Sequence, residues 1–229
     1  MKIPSENCIK KIQEKLIDWG NCHFVQFPWR TTENKFHGLV AEILLQRTRA
    51  EQVVPVFESF TQLFPTVETA SKESIQVIKT LKPLGLEWRA KKVVELISEL
   101  NRLKIISESR DELMKLPGVG SYAASAFLSF HASQRAVIVD SNSVRLWSRV
   151  FGFKSDGETR RKRWFTEIVE RLTPVENNKQ FNYAILDLTR AVCKQKPNCQ
   201  ICPINFLCCY FRNAYSKEEI KSALLKRRI

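Results

Sequence analysis

The chain has 229 residues, of which 44% are hydrophobic, enough to fill one large or two small hydrophobic cores. Lysine and arginine number 37 against 24 acidic residues, and the net charge of +13 favours a polyanionic partner over the alternative of a basic protein without one. No run of about 18 apolar residues and no N-terminal signal-peptide core occurs, which excludes a membrane-spanning class and predicts a soluble, intracellular protein.

Apolar residues recur at helical spacing along most of the chain, and strand-like alternation is scarce. An amphipathic pattern over residues 6–19 predicts an N-terminal helix that Gly20 should end. Ser109 and Glu112 have the spacing of a capping box at a helix start. The predicted fold class is therefore all-α. Further helices are predicted over residues 36–47, 51–63, 71–81, 89–103, 109–115, 122–131, 142–150, 161–172 and 182–192.

The segment Leu116-Pro117-Gly118-Val119-Gly120 separates two of these helices. Two glycines at i and i+2 allow backbone angles that residues with a Cβ resist, and they leave the backbone bare. The following helix begins at Ser121, so its free N–H groups are placed to meet a phosphate. An ordinary tight turn between helices is the alternative interpretation, and the segment by itself does not exclude it.

Five of the seven cysteines fall within residues 193–209. Disulfides are rare inside cells, so this group indicates a metal or iron–sulfur site. Zinc ribbons present two Cys-x2-Cys pairs, whereas this segment has one. The remaining cysteines, Cys8 and Cys22, are expected to be core residues or free thiols. Gaps of five, two and five residues separate Cys193, Cys199, Cys202 and Cys208, and Cys209 follows directly.

The hairpin segment is followed some twenty residues later by Val139-Asp140. Four other segments add to it in order: Pro28-Trp29-Arg30, Glu42 to Thr48, Gly85 to Ala90, and Phe181 to Cys208. With these five motifs the chain resembles the helix-hairpin-helix base-excision glycosylases over nearly its whole length. That superfamily includes endonuclease III, the MutY-type adenine glycosylases and the thymine-mismatch glycosylases.

The resemblance implies a two-lobed helix-hairpin-helix glycosylase fold. Residues 30–134 would form a six-helix barrel domain that carries the hairpin, and residues 1–29 with 135–229 would form a cluster domain. The family's usual first cysteine gap has six residues and this chain has five, which affects loop geometry more than ligand identity. The implied ligands of a [4Fe–4S] cluster are Cys193, Cys199, Cys202 and Cys208.

The resemblance also implies three catalytic residues. Asp140 matches the aspartate that stabilises positive charge on the deoxyribose as the glycosidic bond breaks; otherwise it is a plain helix N-cap. Glu42 matches a glutamate that protonates the leaving base; otherwise it faces solvent. Tyr122 stands where endonuclease III-like enzymes have a Schiff-base lysine, so the implied enzyme is monofunctional and lacks AP lyase activity.

Several residues match the family's DNA-contacting segments. Arg47 is the candidate wedge that fills the gap left by a flipped base, and Gln46 and Thr48 would touch the orphaned partner base. Leu86 would support the opposite face of the gap left by the flipped base. The basic tail over residues 217–229 is either a solvated helix or another DNA-contacting arm. A DNA phosphate would be held by Gly118, Val119, Gly120 and Ser121.

The implied function is removal of thymine or uracil mispaired with guanine from double-stranded DNA, by a monomer in a prokaryotic cytoplasm, associated with the nucleoid. MutY-type enzymes carry a large C-terminal domain, and this chain ends 21 residues after Cys208, which favours the thymine-mismatch enzymes. Two alternatives stay open. One is a short MutY-type adenine glycosylase acting on A opposite G or 8-oxoguanine, and the other is a non-catalytic DNA-binding or redox-sensing iron–sulfur protein.

Overall fold

The computed structural model describes residues 4–85 and 87–215. Regular structure in that part of the chain is helical throughout, so the predicted all-α class is confirmed. None of its helices is both long and apolar enough to cross a membrane. The α-helices are α1 (Glu6–His23), α2 (Pro28–Thr31), α3 (Lys35–Leu44), α4 (Ala50–Leu63), α5 (Val67–Lys72), α6 (Ser74–Leu81), α7 (Glu87–Leu103), α8 (Arg110–Lys115), α9 (Ser121–His131), α10 (Ser141–Phe151), α11 (Arg163–Leu172), α12 (Asn178–Ala191) and α13 (Cys209–Ala214). Short 3₁₀ turns occupy Lys82–Leu84, Thr159–Arg161, Cys199–Ile201 and Asn205–Leu207.

The chain divides into two compact units. Unit 1 combines Met1–Val25 with Val137–Ile229 and contains α1 and α10 to α13. Unit 2 is the continuous segment Gln26–Ala136 and contains α2 to α9. Each unit buries its own set of large apolar side chains, so each has a hydrophobic core.

In unit 1, α1 packs along α12, and fully buried Trp147 and Phe165 join the same core. Gly20 lies inside α1, so the prediction that it ends the helix is wrong. A Cβ at this position would stand 2.7 Å from the Cβ of Ala184 on α12. The glycine lets the two helices approach closely, which offsets its poor helix propensity of about 1 kcal/mol relative to alanine.

In unit 2, α3 is the central helix. It contacts α4, α7 and α9, and every residue from Phe36 to Leu44 is buried. α9 is buried from Ala123 to Phe130 as well. A helix buried on all sides is expected to be apolar. Glu42 is therefore a polar exception in the middle of this core.

Two local predictions are wrong for reasons of hydrogen bonding. The helix predicted over residues 71–81 is two helices: Thr66 and Thr69 form a capping box that starts α5 before residue 71, and the backbone leaves helical geometry at Glu73 before α6 begins. Ser109 does precede α8, but its side chain makes no cap hydrogen bond. Glu112 instead accepts from Lys115 at 2.6 Å.

Candidate functional site

The hairpin is the turn between α8 and α9. Gly118 has φ +78°, in the left-handed region that favours glycine, and a Cβ there would lie 3.3 Å from the Lys92 Cβ. Gly120 is the N-cap of α9 and has open space where a Cβ would stand. Gly120, as a glycine, has no side chain with which to cap the first N–H groups of α9. The start of α9 is thus a candidate position for an anion such as a phosphate.

The residues flanking these donors differ in burial. Val119 is 4% exposed and anchors the turn in the core of unit 2. Ser121 is exposed, and its hydroxyl accepts from Arg110 Nη2 at 2.7 Å. Tyr122, the second residue of α9, is half-buried, so part of its ring faces solvent.

A buried arginine joins the loop after α3 to the turn before α7. Arg89 on α7 is 1% exposed, and burial lowers its pKa. Its Nη1 donates to the carbonyls of Leu44 at 2.8 Å and Gln46 at 2.7 Å, and to Thr48 Oγ1 at 2.7 Å. Its Nη2 donates to the Leu84 carbonyl at 3.2 Å. One guanidinium therefore fixes the geometry of both segments.

The loop after α3 is also fixed to the hairpin, because Gln46 Nε2 donates to the Gly118 carbonyl at 3.0 Å. Between these fixed points Arg47 is exposed and has φ +57°, a conformation that costs free energy in any residue but glycine. Gln46 and Thr48, predicted to touch an orphaned base, use these polar atoms within the protein. Leu86 and the basic tail over 217–229 lie outside the described residues.

Glu42 is the buried carboxyl group of α3. Its side chain is 3% exposed, and its Oε1 lies 3.3 Å from Nε2 of His131, whose side chain is 2% exposed. His131 is the last residue of α9. The two helices thus bring a carboxyl group and an imidazole together in the interior of unit 2.

Asp140 is the N-cap of α10. Its Oδ1 accepts from the backbone N–H of Ser143 at 2.7 Å, and its Oδ2 accepts from Asn142 Nδ2 at 2.8 Å. The Ser143 hydroxyl in turn accepts from the Asp140 N–H at 2.9 Å. Asp140 is half-buried. A carboxylate can accept about four hydrogen bonds, so this one is held in place and keeps capacity for a further partner.

The four cysteines Cys193, Cys199, Cys202 and Cys208 are 7–8% exposed and line a single cavity in unit 1. The cavity comprises about 320 Å³ of non-atom space, part of it open to solvent. Its other walls are mostly apolar and include Leu146, Val150 and Phe211. Arg149 enters from α10: its Nη1 lies 3.4 Å from the Cys193 sulfur and donates to the Lys194 carbonyl at 2.5 Å.

These thiols fit a multi-atom cationic group better than a single ion. Burial raises the pKa of Cys202 to about 12 and that of Cys208 to about 11, so bound cations are needed to stabilise the thiolates. Within residues 4–85 and 87–215, no three His, Cys, Asp or Glu side chains converge closely enough to hold one metal ion. Four thiols around a shared cavity instead match the donor set of an iron–sulfur cluster.

Sequence reasoning misses two residues of this arrangement. His131 has no ligand-like spacing to another histidine and so receives no role, and Arg89 stands out only as part of a motif. The contact between His131 and Glu42 spans 89 positions, and the bonds of Arg89 to the loop after α3 span 41 to 45. Periodicity and local motifs carry no signal for such pairs.

Comparison with known proteins places these features in a family. Residues 40–171 match the family described as HhH-GPD superfamily base excision DNA repair protein. The thymine-DNA glycosylase of Aeropyrum pernix is 36% identical over 216 residues, which cover 90% of this chain and 96% of that protein. The thymine/uracil-DNA glycosylase of Pyrobaculum aerophilum is 37% identical over 221 residues, which cover 91% of this chain and 94% of that protein.

Two further comparisons bear on fold and specificity. The structure of a thermostable thymine-DNA glycosylase matches with a TM-score of 0.84 at 28% identity, and covers 90% of this chain and 98% of that chain. The predicted helix-hairpin-helix glycosylase fold is thereby confirmed. An adenine DNA glycosylase of Buchnera aphidicola is 30% identical over 87% of this chain, but the match spans only 58% of that protein.

Proposed function

The chain belongs to the HhH-GPD superfamily of base excision DNA repair proteins, and we propose that it is a DNA glycosylase that removes thymine or uracil mispaired with guanine. The observation that carries the substrate class is the near full-length similarity to thymine-DNA and thymine/uracil-DNA glycosylases, at 36% and 37% identity. The substrate is double-stranded DNA, and the enzyme acts as a monomer. Residues 30–134 form the barrel domain, and residues 1–29 with 135–229 form the cluster domain.

Asp140 stabilises the transition state. As the N-glycosidic bond breaks, positive charge develops on the deoxyribose, and a fixed carboxylate nearby lowers the energy of that charge. The Ser143 N–H and the Asn142 amide hold both carboxylate oxygens, so little reorganisation is needed during the reaction. The same group can orient the attacking water.

Glu42 is the general acid. A pyrimidine leaves more readily when it gains a proton, and general-acid catalysis contributes about 10²- to 10⁴-fold to rate. The buried position of Glu42 in α3 supports this assignment over a solvent-facing glutamate.

Tyr122 makes the enzyme monofunctional. A phenol cannot form the imine with the sugar that a lysine amine forms, so the DNA strand is not cleaved by elimination. The product is an abasic site. The half-buried ring of Tyr122 at the start of α9 lies beside the hairpin, where it can contact the flipped nucleotide.

The hairpin binds the DNA backbone, and the loop after α3 inserts a wedge residue into the duplex. The backbone N–H groups of Gly118, Gly120 and Ser121 bind a phosphate and position the duplex without reading its sequence. The Val119 N–H does not take part as predicted, because it donates to the Leu116 carbonyl at 3.1 Å within the turn. Arg47 is the wedge: it is exposed at the tip of a loop whose two ends are hydrogen-bonded to the protein. A mispaired base costs less to flip than a paired one, which contributes to selection of the mismatch.

Cys193, Cys199, Cys202 and Cys208 would hold a [4Fe–4S] cluster in the cysteine cavity. Bound there, the cluster would have the structural role of ordering the segment from Val192 to Cys208. Arg149 donates to backbone carbonyls of the same segment at Lys194 and Gln195. This segment carries exposed Lys194 and Lys196, whose charges favour DNA phosphates.

A second candidate is a short adenine glycosylase. The similarity to the Buchnera adenine DNA glycosylase favours it, although 42% of that protein lies outside the match, since 58% is covered. A non-catalytic DNA-binding protein is the candidate from another class, but such a protein has no need of an acid at 42 and a carboxylate at 140.

The first test replaces Asp140 by asparagine. The amide oxygen of the new side chain can still accept from the Ser143 N–H, so α10 should form, while the negative charge is lost. We expect base release from a T:G duplex to fall by at least about 10²-fold in single turnover, with binding unchanged. Unchanged base release by Asp140→Asn would contradict the catalytic assignment, and a parallel loss of DNA binding would point to misfolding of α10.

A further inference from the structure

The contact between His131 and Glu42 has no role in the mechanism described so far. The side chains of His131 and Glu42 are 2% and 3% exposed, and Nε2 of His131 lies 3.3 Å from Oε1 of Glu42. A buried polar group without a partner destabilises a core by several kcal/mol, and a pair of such groups is retained where each satisfies the other.

We propose that His131 is the positioning residue of the general acid: its Nε2–H donates to Oε1 of Glu42 and so directs Oε2, the oxygen that carries the transferable proton. This inference rests on the proposed function, because it requires that Glu42 protonate the leaving base. It adds a residue to the site from the C-terminal end of α9, nine positions after Tyr122 on the same helix.

The surroundings of His131 fix the imidazole orientation. A Cβ at Gly38 would lie 2.5 Å from the ring Cγ and 2.5 Å from Nδ1, so the ring occupies the space that the missing side chain leaves on α3. The rings of Phe127 and Phe130 lie 6.1 Å and 6.4 Å away, centroid to centroid. Tight packing of this kind leaves the ring little freedom to rotate.

The hydrogen-bond arrangement identifies the tautomer. Nδ1 of His131 is buried without a hydrogen-bond partner in the described residues. An unpaired buried N–H is rarer in proteins than an unpaired acceptor, so the proton is placed on Nε2, where Glu42 accepts it. Oε1 of Glu42 is then the acceptor, and Oε2 is the oxygen left to bear the carboxyl proton.

The proton balance is simple. As the bond between C1′ and the base nitrogen breaks, its electron pair stays with the base, and the proton on Oε2 moves to the base. Water adds its hydroxyl group to C1′, and its remaining proton restores the carboxylic acid. The Nε2–H of His131 stays on the ring throughout, and its hydrogen bond strengthens as Glu42 becomes an anion.

A double-mutant cycle with Glu42→Gln and His131→Leu tests the proposal. Single-turnover release from T:G and U:G duplexes is measured for the wild type, both single variants and the double variant, with duplex affinity measured separately. Loss of a hydrogen bond to a charged group corresponds to about 10- to 100-fold, so His131→Leu should slow base release by that factor and leave affinity unchanged. On the Glu42→Gln background, His131→Leu should not slow base release any further. With Glu42 intact, His131→Gln keeps an N–H donor and should retain most of the rate that His131→Leu loses.

A matched control comes from the same core. His37 on α3 is buried, and its Nε2 bonds to the Phe64 carbonyl at 2.8 Å, so His37→Leu also removes a buried histidine hydrogen bond. Its effect on rate should be the same with and without Glu42→Gln. If His131→Leu behaves like this control, or if it leaves the rate unchanged, the positioning role is refuted.

A replacement variant guards against misfolding, and the wild-type and Glu42→Gln rates show which proposal has failed. If His131→Leu does not fold, the same cycle is run with His131→Phe, which keeps a planar ring but has no N–H donor, and an additive loss there also refutes the proposal. Absence of base release by the wild type would refute the proposed function itself, before any variant is compared. Wild-type release that Glu42→Gln leaves undiminished would refute the role of Glu42, and that of His131 with it.

Discussion

At position 140 one side chain has an observed structural role and a proposed catalytic one. The carboxylate of Asp140 starts α10 by accepting from Ser143, and the same bond would hold it in place for the proposed reaction. Loss of an N-cap costs about 1 kcal/mol, which a folded domain tolerates. Substitutions at this position therefore separate the two roles only if an acceptor is retained, as in asparagine.

Tyr122→Lys should change the reaction type. A lysine amine at the start of α9 can attack the sugar and form a Schiff base, which permits strand cleavage without alkali. We expect a covalent protein–DNA adduct after borohydride treatment of the variant with a T:G duplex. The wild type and Tyr122→Phe serve as controls and should give none. If the variant releases thymine yet forms no adduct, Tyr122 is misplaced relative to the sugar.

Arg89→Met should destabilise unit 2 by roughly 2–4 kcal/mol, because four acceptors at the ends of two segments lose their donor. Chemical denaturation measures the loss. Arg102→Met on the same helix is the control: the Arg102 side chain is 69% exposed and pairs with Glu99 on the surface, so its loss should destabilise the protein much less. Equal effects of the two substitutions would contradict the structural role of Arg89.

Residue-level prediction from sequence succeeds where partners are neighbours in the chain. The N-cap position of Asp140 follows from the helix start beside it, and the cysteines stand close together in sequence. Arg89 and His131 make their bonds across the fold, and only the packing of α3 against α7 and α9 brings their partners near. No local pattern marks His131, and the motif that contains Arg89 does not indicate its partners.

At the level of elements, helix existence is predictable and helix ends are not. The amphipathic pattern of α1 is plain, but its continuation past Gly20 depends on Ala184, 164 positions later, which no helix-stop rule considers. The start of α5 at Val67, ahead of the predicted helix, depends on hydrogen bonds of the Thr66 and Thr69 hydroxyls. Such competition between side chains and backbone is a known source of displaced boundaries.

Gly20→Ala tests the close approach of α1 and α12. Alanine raises helix propensity by about 1 kcal/mol, but its Cβ would meet Ala184 at 2.7 Å, and overpacking costs about 1–3 kcal/mol. We expect a net loss of thermal stability in Gly20→Ala. Adding Ala184→Gly, which removes the opposing Cβ, should restore part of it. A more stable single variant would show that the two helices separate easily.

The cysteine segment, residues 193–208, is the element that would hold the proposed iron–sulfur cluster. Anaerobically purified protein should contain about four iron atoms per chain with matching sulfide. Cys202→Ser should reduce the bound iron, because this buried thiol lines the cavity, whereas Cys22→Ser should not, because Cys22 is exposed. One zinc ion per chain in place of iron would contradict the assignment.

At the scale of the molecule, the all-α class and the polyanionic partner follow from composition, periodicity and the net charge of +13. The identity of the base that the enzyme removes does not follow from these properties. Thymine-DNA and adenine DNA glycosylases both match this chain, and they differ in the share of the relative that the match covers, 96% against 58%. Specificity arises from differences between the contacts that the site makes to one base and to another.

The most direct test of the account is single-turnover base release on one labelled set of duplexes. The set contains T opposite G, U opposite G, A opposite 8-oxoguanine, A opposite G, and a matched control, each analysed with and without hot alkali. The account predicts breaks at T or U opposite G that appear only after alkali treatment. Release of adenine in place of thymine, or no release from any duplex, would contradict it.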